Sequence, residues 1–137
     1  MRTRSAALAI PLSFAAAAAL AQDYVLTITD TGLREYYCQI TVELENKTDE
    51  QLTEISGYFY SYIGTEKVGR SKGAWFMNVP AGGTATATFE TPNAPCDNVE
   101  RHAFMVGACR FDAGFADKAE CAARIGGTGT IEAMPPS

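Results

Sequence analysis

The stretch YYCQITVELENKT, residues 36–48, sets Cys38, Ile40, Val42 and Leu44 at every second position, with Gln39, Thr41, Glu43 and Glu45 between them, and breaks at Asn46. Successive side chains of a β-strand point to opposite faces, so the pattern describes a strand with one apolar and one wet side. An unbroken polar side belongs to an antiparallel sheet covered on one face only. The other face must be buried against a second layer.

The alternation recurs along the chain. DYVLTITDTG sets Tyr24, Leu26 and Ile28 against Val25, Thr27 and Thr29, and is expected to stop at Asp30-Thr31-Gly32. EISGYFYSYIG puts Ile55, Gly57, Phe59, Ser61 and Ile63 on one face and Ser56, Tyr58, Tyr60 and Tyr62 on the other. GAWFMNVPAGG predicts a strand through Trp75, Phe76 and Met77 that ends at Pro80, before a Gly82-Gly83 turn. TATATFE turns Ala85, Ala87 and Phe89 inward and Thr84, Thr86 and Thr88 outward. ETPNAPC reads as a loop, because Pro92 and Pro95 have no N–H to give a ladder. VERHAFMVGACRF is a further long strand with an interruption at Gly107. From Asp112 the composition changes to alanine, glutamate and lysine, which predicts a short helix over residues 115–124 with Gly126 as its C-cap. GTGTIEA then gives a last short strand and MPPS a frayed end. Strands recurring at these intervals specify an all-β sandwich.

The opening MRTRSAALAIPLSFAAAAALAQD has Arg2 and Arg4, an uncharged alanine-leucine run and the small-x-small site Ala19-Leu20-Ala21. This predicts a cleavable secretory signal over residues 1–21 and a single domain over 22–137. The apolar run is short and alanine-rich for a membrane anchor, Thr3 splits the arginines of a twin-arginine signal, and no cysteine stands at the cleavage site to take a lipid. No membrane insertion is expected after cleavage. Removing residues 1–21 leaves 116 residues and takes away two arginines and no acid, moving the formal net charge from −5 to −7. Such a balance disfavours nucleic acid and anionic membranes, which require clustered Lys and Arg. Lys67, Arg70 and Lys72 form the densest basic group and are expected in a solvated loop.

Cys38, Cys96, Cys109 and Cys121 are an even number in a chain read as exported, which predicts two disulfides. Zinc is opposed by long, irregular spacings, by the absence of C-x-x-C and by a lone histidine, His102. Of the three connectivities, Cys38–Cys96 with Cys109–Cys121 is preferred, because the second pair closes a short local loop and leaves the first to tie an early strand to a later turn. The expected location is the periplasm or the outside of the cell.

Three pieces of the chain carry a resemblance: ENKT at 45–48, Phe59, Tyr62 and Gly64 in YFYSYIG, and VPAGGTATATFE at 79–90. Their order, strand, Asn-containing turn, Phe-x-x-Tyr strand and Pro-Gly turn into an alternating strand, resembles the FxLYD-type domains of exported bacterial proteins over residues 38–90. Ser61 and Ile63 stand where that family has leucine and aspartate, and Ala81 separates the proline from the glycine. The resemblance implies an immunoglobulin-like antiparallel β-sandwich serving as an interaction module, with no catalytic residue to carry over.

A catalytic constellation is hard to assemble from these residues. His102 is the only histidine, its parity groups it with Phe104 and Val106, and G-x-S-x-G, H-E-x-x-H and phosphate-binding motifs are absent. GGTGT at 126–130 has the glycine density of a phosphate cradle but neither the strand-to-helix context nor a following Lys-Ser. The carboxylates are scattered and suit solubility. Copper could use His102, Met105, Met77 and Met134, yet residues three apart on a strand face opposite ways, so His102 and Met105 cannot close on one ion without a bulge. No enzyme activity, cofactor or metal is therefore expected. Tyr58, Tyr60 and Tyr62, with Trp75 beside them if residues 54–63 pair with 73–79, either cover one side of the sheet or form an exposed aromatic patch. The second possibility makes the protein a binding module for another exported or envelope protein. The alternative is a hydrolase inhibitor acting through ETPNAPCDN, braced by Cys96, and the third reading is a copper-binding periplasmic protein.

Overall fold

The computed structural model describes residues 22–92 and 96–134, so residues 1–21, on which the secretory reading falls, lie outside the described residues. The elements are β1 (Tyr24–Arg34), β2 (Tyr37–Asn46), β3 (Leu52–Ile63), β4 (Glu66–Val79), β5 (Thr84–Pro92), a 3-10 turn (Cys96–Asn98), β6 (Arg101–Phe111), β7 (Gly114–Phe115), α1 (Lys118–Ala123), β8 (Ile125–Gly127) and β9 (Ile131–Met134). One sheet has the order β5-β2-β1-β8, and the other β4-β3-β6-β7 with β9 also paired to β6. The chain changes sheet between β2 and β3, β4 and β5, and β5 and β6, the connectivity of a Greek-key sandwich. The body is mostly β, with two packed sheets, one short helix and two disulfides, as the strand periodicity predicts. The C-terminal segment adds two short parallel pairings, β8 on β1 and β9 on β6, to otherwise antiparallel ladders.

The inward faces are those that alternation names. Leu26, Ile40, Val42 and Leu44 of the first sheet meet Ile55, Phe59, Phe76, Phe104 and Val106 of the second, all buried. Phe89 of β5 stacks on Phe59 of β3 at 4.3 Å between centroids, and Phe104 lies 5.0 Å from Phe59, so aromatic contact runs across the sheet interface. Each fully buried ring of this kind contributes about 2–3 kcal/mol by leaving water. Gly57 is the residue in β3 where a side chain would collide with the Met105 carbonyl of β6. Opposite it the register slips, Ser56 pairing with Ala108 and Gly57 with Val106, so the interruption at Gly107 is a bulge.

Asn46, fully buried at the end of β2, explains why the chain turns there. Its Nδ2 donates to the carbonyls of Glu50 at 2.8 Å and of Val79 and Pro80 at 3.2 Å, while Oδ1 accepts from the N–H of Thr48 at 3.0 Å and its hydroxyl at 2.7 Å. One amide thus joins the β2–β3 crossover to the β4–β5 crossover.

Several local expectations are corrected. β1 does not stop at Asp30-Thr31-Gly32: those residues keep pairing with Thr41, Ile40 and Gln39 after a bulge between Ile28 and Asp30, and the turn falls at Glu35-Tyr36. A ladder partner outweighs the turn preference of the three residues. Lys67 and Lys72 lie in β4, not in a loop. Residues 90–92 belong to β5, Thr91 pairing with Cys38, and Pro92 is tolerated at the end of an edge strand. The helix is only Lys118–Ala123, started by Asp117, whose Oδ1 accepts from the N–H groups of Ala119 and Glu120 at 3.0 Å. It is capped at Arg124, and Gly126 instead sits in β8, because buried Ile125 pairs with Tyr24. Phe115 is in β7 and exposed.

The disulfides join Cys38 to Cys96, with Cα atoms 4.8 Å apart, and Cys109 to Cys121, 6.3 Å apart. Two such bonds indicate an oxidising, extracytoplasmic environment. No helix among the described residues is long and apolar enough to cross a membrane. The Cys38–Cys96 bond spans 58 residues and the other 12. Urea unfolding should therefore show C38S/C96S losing about 4 kcal/mol and C109S/C121S about 3 kcal/mol; equal or reversed losses would contradict a chain-entropy origin.

Candidate functional site

The outward face of β3 and its neighbours gathers the side chains in question. Tyr58 is opposite Gly73 of β4 and Met105 of β6, Tyr60 is opposite Ala103, Tyr62 is opposite Lys67 and Arg101, and Trp75 is opposite Ser56. All four aromatic residues lie on this one face. Met77, two residues beyond Trp75, and Met105 join them, neither having been assigned to the patch from sequence, although the strand parity of Met77 already placed it beside Trp75.

Exposure separates these residues. Trp75 is 61% exposed, Met77 50% and Tyr58 47%, whereas Tyr62 is only 8% exposed. The six-membered edge of the Trp75 indole rests over Gly73, close enough that an added Cβ there would lie 3.2 Å from it. With no side chain at Gly73, the indole lies down along the strand toward Tyr58. Tyr60 is half-buried, with the Lys67 ammonium 4.2 Å from its ring centroid. Tyr62 is covered by the Arg101 guanidinium, 4.5 Å from its centroid, and its hydroxyl reaches the Met134 sulfur at 3.9 Å. Arg101 is in turn held by Glu132 of β9 at 3.1 Å. Tyr62 is consequently part of the packing, and Ile63, which shares the parity of the buried Phe59, is exposed at the strand end. Parity along β3 could not register the burial of Tyr62, because it depends on Arg101 at the start of β6 and Met134 at the end of β9.

The other outward surface differs. Thr27, Thr41, Thr86, Thr88, Glu43 and Glu45 occupy the first sheet's outer face, where Thr41 and Thr88 hydroxyls meet at 3.4 Å. The aromatic face has its carboxylates neutralised, Glu54 by Arg110 at 3.6 Å and Glu132 by Arg101.

His102 lies inside, 5% exposed. Its Nδ1 is hydrogen-bonded to the Ser61 hydroxyl at 2.9 Å, that hydroxyl is 3.0 Å from the Thr91 hydroxyl of the opposite sheet, and the ring stands edge-on to Phe89 at 5.6 Å. This polar link crosses the sandwich from β6 and β3 to β5. Burial makes a charged imidazole costly and lowers its pKa from 6.5 to about 4. His102 and Met105 point to opposite sides of the sheet, since His102 faces Ser61 inside while Met105 flanks Tyr58 outside. The glycine-dense residues 126–130 form β8 and the turn into β9, with Gly129 at φ 65°. Of the loop ETPNAPCDN, residues 93–95 lie outside the described residues.

No family model matches the chain, and no curated protein does. Its fold resembles that of IrmA from Escherichia coli. The two superpose with a TM-score of 0.58 over 78% of this chain and 92% of that one, at 13% identity. Such a likeness establishes a shared fold: a small β-sandwich, the architecture that the FxLYD-type resemblance implies.

The buried histidine gives stability a defined pH dependence. Above pH 6.5 it is neutral in both states and costs nothing; as pH falls from 6.5 toward 4 the unfolded chain takes up a proton that the folded chain refuses. Urea titrations should show H102Q retaining on the order of 3 kcal/mol that the parent loses across this window. Parallel pH profiles for the two proteins would refute the assignment.

Proposed function

We propose that the protein is an exported, non-catalytic binding module, working in the periplasm or outside the cell, that holds another exported or envelope protein against the outer face of its second sheet. The observation that carries this reading is the exposed cluster of Trp75, Tyr58 and Met77 on paired strands rather than on a loop. Large aromatic rings and methionine supply contact area with few torsions to freeze, and are enriched where proteins meet. Strands β3 and β4 fix their spacing before a partner arrives, so little ordering remains to oppose association. Tyr60 with Lys67, and the Arg101 that covers the buried Tyr62, form the margin and present a polar rim. The likeness to IrmA and to FxLYD-type domains supports the sandwich as the frame for such a face. The inhibitor reading depends on residues 93–95, outside the described residues, and the copper reading on a His102–Met105 pair that the sheet keeps apart.

Affinity capture from the exported fraction, followed by titration of the captured partner, tests the proposal. W75A and Y58S should each weaken binding at least about tenfold while leaving the melting temperature close to that of the parent. Y62S should instead lower the melting temperature. Undiminished capture by the W75A/Y58S double variant would rule out this face.

A further inference from the structure

The outer edge of β1 is only half covered. β8 pairs with Tyr24, Val25 and Leu26, and among the described residues nothing pairs with the edge from Asp30 to Arg34. On the β8 side the Tyr24 N–H donates to the Arg124 carbonyl and the Leu26 carbonyl accepts from Thr128, so even-numbered backbone groups point outward there. The bulge between Ile28 and Asp30 inserts one residue and reverses that phase. Beyond it the outward N–H and C=O groups belong to Thr31 and Leu33. Their side chains lie on the core-facing side, opposite Ile40 and Cys38, but the second sheet does not extend over them, and Leu33 is 65% exposed. Asp30 and Arg34 lie on the other face, and neither has an ion-pair partner among the described residues, although Arg34 shares a shallow hollow with Glu35, Tyr37 and Glu90.

The sequence of this edge, Asp30-Thr31-Gly32-Leu33-Arg34, is complementary to itself when run antiparallel. With Gly32 opposite Gly32 of a second copy, Asp30 meets Arg34, Thr31 meets Leu33, and the same contacts repeat across the two-fold axis. The outward phase of the backbone admits that register. Thr31 and Leu33, whose groups point outward, become the hydrogen-bonded pair, while Asp30 and Arg34 fall in the non-hydrogen-bonded positions, where side chains approach each other more closely. Charged side chains commonly blunt an edge strand; here one of each sign stands two residues to either side of Gly32, so a second copy meets opposite charges.

We propose that residues 30–34 form a self-association edge, through which two copies join their first sheets into one continuous sheet about a two-fold axis. The contact is small, which implies a weak, reversible dimer. Both aromatic faces remain open in it, and the inference does not depend on the function proposed above.

The oxidised protein is examined by sedimentation equilibrium from about 1 μM to about 1 mM. A monomer–dimer equilibrium is expected, with D30R and R34D each weakening it about tenfold or more, and D30R/R34D restoring it. The second measurement, amide hydrogen exchange on the unmodified protein, should show protection of the Thr31 and Leu33 N–H groups rising with concentration, whatever the variants do to folding. A monomer at every concentration, a dimer indifferent to the single reversals, a double reversal that fails to restore it, or exchange at Thr31 and Leu33 independent of concentration would each overturn the proposal.

Discussion

Phe59 is where the two sheets hold together. Its ring is stacked on Phe89 from the facing sheet, tilted against Phe104 and edge-on to Phe76, so β3, β4, β5 and β6 all depend on one side chain filling one volume. Interiors of this density do not tolerate a missing ring by collapsing, because the neighbours are strands fixed by their own ladders. Everything around Phe59 has a consequence for the outside of the molecule. The parity that sends Phe59 inward sends Tyr58 and Tyr60 outward, and the same register places Trp75 beside them.

Much of this is legible in the sequence. Cys38, Ile40, Val42 and Leu44 are all buried, as their spacing requires, and Phe59, Phe89 and Phe104 meet because each occupies the apolar phase of its own strand. The disulfide pairing follows the local-loop argument, and Gly107 disrupts its strand as a bulge. What the sequence concealed was set by partners distant along the chain. The strand β1 runs through Asp-Thr-Gly because β2 offers a continuous ladder, and α1 stops early because Ile125 is recruited to the first sheet. Local preference is a weak influence where tertiary pairing is available.

The candidate site was legible to a similar depth. Alternation grouped the tyrosines, and a conjectured pairing brought in Trp75, but their unequal exposure arises from Arg101, Glu132 and Met134, which approach from β6 and β9. Nor does spacing reveal that Gly73 leaves room for the indole to recline. The buried Ser61, His102 and Thr91 present the same lesson in the interior: each is polar within an apolar phase, and only the three-dimensional meeting of β3, β5 and β6 shows how they satisfy one another.

The segment after α1 acts as a strap. Within about a dozen residues it adds a strand to each sheet, and between them Gly127 is packed so tightly on the Ile131 backbone that no side chain fits. Both additions run parallel to their hosts, β1 and β6, and each takes its ladder from a strand earlier in the chain. A chain clipped just past the helix would leave both layers unlaced on the same side.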